Sequence, residues 1–274
     1  MDVIEKMRKE LFRRRYSSRT IATYLDCCRA FIRHNHKDVR LYSKKDIREY
    51  LDLLAERGAS GSTINVYLQA LKFMMENVFG KRVWIDIRHS KTDRKRLPEF
   101  LTKEEVTALL GAITNKKHLL MIKLLYGAGL RVSEVINLRI RDLQLEEGYG
   151  WVRKGKGNKD RPFIIPACLK DDLLNATAGK DTDNAVFIGH RGRLSIRTVY
   201  AIVKRAAKKA RIDKNVHPHT LRHSFATHLI ENGYAVTAVQ SLLGHNSPDT
   251  SMIYVHMKPA AMIEVKSPLE ELER

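Results

Sequence analysis

Residues 217–229 read HPHTLRHSFATHL. In a helix, residues three and four apart share a side, so His219 and Arg222 face together and His223 follows His219 by one turn. Two histidines at that spacing invite a zinc reading. A zinc-hydrolase helix, however, carries a glutamate after its first histidine, where this chain has Thr220. The Arg222 guanidinium between the two would-be ligands also opposes a bound cation. No carboxylate cluster nearby would hold magnesium, so no metal is expected.

Four further motifs join this one along the chain. LLGH ends at His245, and Tyr254 follows nine residues later. Upstream, GKGNKDR (155–161) stands between two short strand-like runs, 151–153 and 163–165. Glycines and asparagine between such runs predict a β-hairpin whose connecting segment is loaded with cations, Lys156 among them. LRVSE (130–134) contributes Arg131 and Glu134. Singly, each has a plain reading: a surface arginine, a solvated loop lysine, a core aromatic. Their joint order and spacing are what carry weight.

Around these motifs the helical period dominates. After Ser17-Ser18, a good N-cap pair, Ile21, Tyr24, Leu25, Cys28, Phe31 and Ile32 recur at helical spacing. Ser43 opens a helix carrying Ile47, Tyr50, Leu51 and Leu54 that stops near Gly58, and Ser62 is expected to open the next, with Leu68, Leu71, Met75 and Val78 inside. Helices this short need a bundle to be stable. Residues 88–98, RHSKTDRKRLP, lack periodicity and set Arg88, Lys91, Arg94, Lys95 and Arg96 against Asp93 alone. That is a basic linker, either a solvated hinge or a strap along phosphates. Thr102 with Glu105 forms a capping box ahead of Val106, Leu109 and Leu110. Helical runs follow at 119–126 and 133–138, and 185–188 offers a further strand. From Ser195 the chain returns to helix, with turns expected at Pro218, Gly233 and Gly244.

Composition limits the partner. The chain has 274 residues, 43% hydrophobic, enough for about two domains with buried cores. Its 50 Lys and Arg against 31 Asp and Glu give a net charge of +19, which points to a polyanion. An anionic membrane surface would call for the cations on one amphipathic helix, whereas here they run through the whole chain. Three cysteines, Cys27, Cys28 and Cys168, make no disulfide framework and no zinc knuckle. The N-terminus, MDVIEKMRKELFRRR, has no apolar leader, and the longest apolar stretch is broken by Lys123. These features predict a cytoplasmic protein with no membrane span.

Taken together, LRVSE, GKGNKDR, HxLRHSFATHL, LLGH and the following Tyr254 resemble the tyrosine recombinases of the phage integrase family, most closely the Xer recombinases that resolve chromosome dimers. The resemblance covers essentially the whole chain. It implies a mainly α fold with a small β-sheet or hairpin: an N-terminal helical core-binding domain (1–87), the basic linker (88–98) and an α+β catalytic domain (99–274), together forming a C-shaped clamp on DNA. It carries catalytic roles to Arg131, Lys156, His219, Arg222, His245 and the nucleophile Tyr254, with Glu134 as supporting acid. No cofactor is needed, since the phosphodiester energy stays in a 3′-phosphotyrosyl bond and the chain has no GxxxxGK[ST] phosphate loop.

The resemblance further implies a double-stranded recombination site and a homotetramer on two such sites. It also implies a C-terminal tail that docks on a neighbouring protomer, for which Ile263, Val265 and Leu269 are the candidate contacts. Arg197, Lys204 and Arg205, with Lys208 and Lys209 on the same helix, are candidates for groove or backbone contact. Three other readings stay open: integration or excision of a virus, plasmid or transposon; a type IB topoisomerase-like relaxer; and a non-enzymatic DNA-binding regulator.

Overall fold

A computed structural model describes residues 2–82, 99–153, 160–189, 192–244 and 265–273. The chain divides into two compact units, Met1–Arg96 and Leu97–Arg274.

Polar caps set the helix starts of the first unit. Asp2 caps α1 (Val3–Arg13), Ser17 caps α2 (Ser18–His34), and Ser43 with Asp46 forms a capping box on α3 (Lys44–Glu56). The next helix, α4 (Gly61–Val78), starts earlier than the expected Ser62. Ser60 has extended backbone and its Oγ accepts from Thr63 N at 3.2 Å, so Ser60 is the cap and Ser62 lies in the first turn. The sequence reading did not single out α1, because charges at most positions hide the pair Met7 and Leu11. Both are fully buried with Phe31, Ile47, Leu51, Leu71 and Met74. Packing of α2 on α4, α1 on both, and α3 on α4 encloses this core.

The second unit begins with α5 (Lys103–Gly111), which starts at the Thr102–Glu105 capping box. Then come α6 (Lys116–Gly127), buried along most of its length, and the short α7 (Val132–Asn137). The antiparallel sheet has three strands, β1 (Leu143–Gln144), β2 (Tyr149–Val152) and β3 (Arg161–Ile164). Tyr149 pairs with Ile164 and Val152 with Arg161, so residues 153–160 connect β2 to β3. After α8 (Lys170–Thr177), the expected strand at 185–188 is reduced. Ala185 makes only an isolated bridge to Arg139, and β4 (Ile188–Gly189) pairs with β5 (Gly192–Arg193) instead. The side chains of Val186 and Phe187 in that segment are buried in the core.

Helices α9 (Ile196–Lys209), α10 (Pro218–Glu231) and α11 (Val236–Leu243) complete the core around α6. Pro218 is the first residue of α10 rather than a turn. Its fixed φ and missing N–H suit that position, and His217 is the N-cap. Buried Ser224 on α10 accepts from Leu101 N at 2.8 Å, which fastens the start of the unit to this helix. Among the described residues no helix is long and apolar enough to cross a membrane.

At the C-terminal end, α12 (Leu269–Leu272) folds back on its own unit. Leu269, expected to reach a neighbouring protomer, is fully buried here, and Val265 packs on the same core. Gly127 makes the room: a Cβ there would stand 2.8 Å from Leu269 Cδ2. Ser267 Oγ donates to Gly127 O at 2.6 Å beside it. Ile263 lies outside the described residues. Leu269→Ala is expected to destabilise the protein by about 2–4 kcal/mol through the cavity it leaves, read as a lower urea midpoint with an unchanged m-value.

Candidate active site

A buried carboxylate organises the site. Glu134 sits in the first turn of α7, where its Oε2 accepts the Arg131 backbone N–H at 2.8 Å. Its Oε1 accepts Arg131 Nη1 at 2.8 Å. From β3, Arg161 Nη2 donates to Oε2 at 2.6 Å, and from α10, Arg222 Nη1 stands 3.9 Å away. The Glu134 side chain is only 5% exposed. Burial pushes its carboxyl up, but Arg161, then the N–H and guanidinium of Arg131, outweigh that and hold it below the usual carboxylate range. An ionised Glu134 thus binds guanidiniums delivered by separate elements.

Arg222 is buried beneath this cluster. Its Nη1 donates to Gly129 O and its Nη2 to Leu243 O. Gly129 has φ +58°, and a Cβ there would stand 2.4 Å from Phe225 Cδ1, so the position requires glycine. Burial, with Arg131 and Arg161 alongside, pulls the Arg222 pKa down to about 9, which leaves it protonated at neutral pH. Two carbonyls use part of a guanidinium with five donors.

The end of α11 collects three cations. Leu242 O accepts Arg161 Nη1 at 2.9 Å, Leu243 O accepts Arg222 Nη2, and Gly244 O accepts Arg131 Nη2 at 3.5 Å. Helix C-termini leave such carbonyls unsatisfied and partially negative, so this is a natural seat for arginines. Gly244 caps the helix in the left-handed region, φ +62°.

His219 lies one turn before Arg222 on α10 and is exposed. Loss of water around its ring, then the charges of His217, Arg222, His223 and Arg131, push its pKa below the usual histidine value. It is therefore neutral at pH 7 and able to accept a proton. The carboxylate-deficient cluster is positive and suits an oxyanion such as a phosphate.

Of the residues anticipated from sequence, the structure brings Arg131, Glu134 and Arg222 together, with His219 on the same helix as Arg222. Lys156, His245 and Tyr254, and the linker residues Arg88, Lys91, Arg94, Lys95 and Arg96, lie outside the described residues. Arg197, Lys204 and Arg205 are exposed on α9, while Val199, Ile202 and Val203 of the same helix are buried. The residue that sequence reasoning passed over is Arg161, the last letter of GKGNKDR. Strand alternation was the available signal: Arg161 shares a face with Phe163, which is buried.

Comparison with known proteins matches residues 99–260 to the phage integrase family and residues 3–86 to the phage integrase N-terminal SAM-like domain. Tyrosine recombinase XerA of Pyrococcus furiosus is 37% identical, covering 99% of this chain and 96% of its own. An Escherichia coli integrase/recombinase is 34% identical, covering 98% of this chain and 94% of its own. The structure of XerH site-specific recombinase bound to its difH substrate matches with a TM-score of 0.65 at 26% identity, covering 89% of this chain and 78% of that one.

Proposed function

The chain belongs to the phage integrase family of tyrosine recombinases, enzymes that cut and rejoin DNA, and we propose that it acts as an Xer-type site-specific recombinase resolving chromosome dimers at a short inverted-repeat site. The observation that carries the chemistry is the junction of Arg131 and Arg222 on one buried carboxylate. Two planar forks so held, both charged at neutral pH, suit the nonbridging oxygens of one scissile phosphate and the extra charge of its pentacoordinate transition state.

In this reading Tyr254 attacks phosphorus, forming the phosphotyrosyl bond at the 3′ side as the bond to the 5′ oxygen breaks. Lys156 gives its proton to that departing oxygen, His219 assists proton transfer, and His245 donates a hydrogen bond to the phosphate. Reversal by a 5′-hydroxyl restores the duplex with no nucleotide cofactor. The linker cations and the exposed Arg197, Lys204 and Arg205 would grip the duplex backbone, and four protomers would join two sites. Similarity to XerA over nearly the whole length favours dimer resolution. The integrase/recombinase relative keeps mobile-element recombination as the second reading.

A supercoiled plasmid carrying two copies of a duplex site selected by the protein from a randomised inverted-repeat pool separates the possibilities. Deletion circles together with covalent adducts are expected. Relaxation that needs no paired sites would mean a topoisomerase-like enzyme, and binding with neither product a regulator. An inverted-repeat site on the host chromosome, resolved by the protein, would favour the Xer role over a mobile element's.

A further inference from the structure

We propose that Arg161 is a positioning residue of the active site, the bolt that locks the strand after the Lys156 segment to both Glu134 and the end of α11. The inference rests on the reading that Arg131 and Arg222 hold the scissile phosphate. Arg161 opens β3, directly after the segment containing Lys156. Its side chain is 13% exposed and reaches two other elements. Nη2 meets Glu134 Oε2 at 2.6 Å and Nη1 meets Leu242 O at 2.9 Å.

Gly244, the residue before His245, is shaped around it: a Cβ at Gly244 would stand 2.7 Å from Arg161 Cδ. One side chain thus touches the segments that lead to Lys156, Arg131 and His245. The terminal nitrogens of Arg161 meet Glu134 and the carbonyls of Leu242 and Pro162, contacts that tie protein elements together.

Two consequences separate positioning from mere support of the fold. First, Arg161 balances Glu134. With it, three guanidiniums share one carboxylate and the cluster stays positive towards phosphate. Without it, Arg131 alone holds the carboxylate closely and its charge is spent there. Second, Glu134 is faced by Arg131 from its own N-terminal turn, Arg161 from β3 and Arg222 from α10. The charge of Arg161 is the largest single influence that lowers its pKa, ahead of each separate contact from Arg131. Removing that cation raises the carboxyl's pKa, so activity needing ionised Glu134 starts to fall at a higher pH as the medium is acidified.

The test uses the full chain and the selected duplex made with a bridging 5′-phosphorothiolate, whose sulfur leaves readily and traps the covalent adduct. Arg161→Met is expected to bind this duplex within about threefold of wild type, since phosphate-gripping cations are untouched. Its adduct formation should slow about a hundredfold, as misplacement of a catalytic group by about 1 Å allows, and the acid limb of its pH–rate profile should move upward. Arg161→Lys keeps the charge but not the fork; it should leave the limb in place and slow the reaction about tenfold. Adding Arg161→Met to Glu134→Gln should slow the reaction by much less than the roughly hundredfold it costs in the wild-type background, because the two residues share one contact.

Wild-type rates in either variant would overturn the inference. So would a slowed Arg161→Met with an unmoved pH profile and effects that multiply in the double variant, the pattern of a structural residue. If Arg161→Met fails to fold by its thermal midpoint, Arg161→Lys decides alone. Absence of any Tyr254 adduct from wild-type protein would strike the recombinase reading instead.

Discussion

Tyr254→Phe protein is expected to bind its duplex site as tightly as the wild type while forming no covalent adduct. The substitution removes one oxygen and keeps the ring, so the cations that hold the backbone are unaffected. The missing oxygen is the only one proposed to attack phosphorus. Ionising a free phenol of pKa about 10 at neutral pH costs about 4 kcal/mol, and a positive cluster is what lowers that cost. Arg131, Arg161 and Arg222 around a single Glu134 form such a cluster, and the proposed mechanism sets it to work on Tyr254.

With the proposed nucleophile gone, cleavage should fall below about one part in ten thousand of wild type. Gel-shift titration measures the binding, and denaturing electrophoresis of labelled duplex measures the adduct. An adduct that persists in Tyr254→Phe would mean that another side chain attacks, and the assignment of the nucleophile would be wrong.

Much of this arrangement is legible in the sequence because local chemistry encodes it. Thr102 with Glu105 is a reciprocal cap whose partners lie three residues apart, and Ser43 reads as a helix start; the structure forms both. Where a choice between neighbours depends on geometry, the sequence is mute. Ser60 and Ser62 are both good caps, and only the extended backbone of Ser60 decides between them. Pro218 reads equally as a turn or a first helical residue until His217 is seen to cap the helix.

The motifs around Arg131 and Arg222 are recognisable because each is a contiguous string. Their meeting on Glu134 is a long-range event, with Arg222 brought in by packing of α10 on α6. Arg161 was hidden for the same reason. Its partners, Glu134 and Leu242, lie far off in the chain, so a residue that ends a basic string looks like one more solvated cation. Leu269 is the converse: the family resemblance implied an external partner for it, and the notch over Gly127 provides an internal one.

Arg222→Lys is the second large effect, and it separates charge from geometry. Arg222 reaches Gly129 O and Leu243 O at once, through two nitrogens held in one plane. A lysine ammonium is a single point on a flexible stem and cannot satisfy both carbonyls while also facing a phosphate. The side that loses its donor leaves a buried carbonyl unpaired and frees the end of α11 relative to α10. Loss of one preorganised donor to a developing oxyanion lowers rate by about a hundredfold to a thousandfold, and here positioning is lost as well, so cleavage should fall at the upper end of that range.

Burial beside Arg131 and Arg161 already pulls the Arg222 pKa down. A lysine placed there starts from a lower pKa and loses its proton more easily. The ratio of variant to wild-type cleavage should therefore rise as the pH is lowered, because acid restores the lysine's charge while Arg222 needs no such help. Single-turnover adduct formation across a pH series reads both the depth of the defect and this trend. A variant that cleaves as fast as wild type would mean that charge alone suffices at this position and that the fork on α10 is not what holds the phosphate.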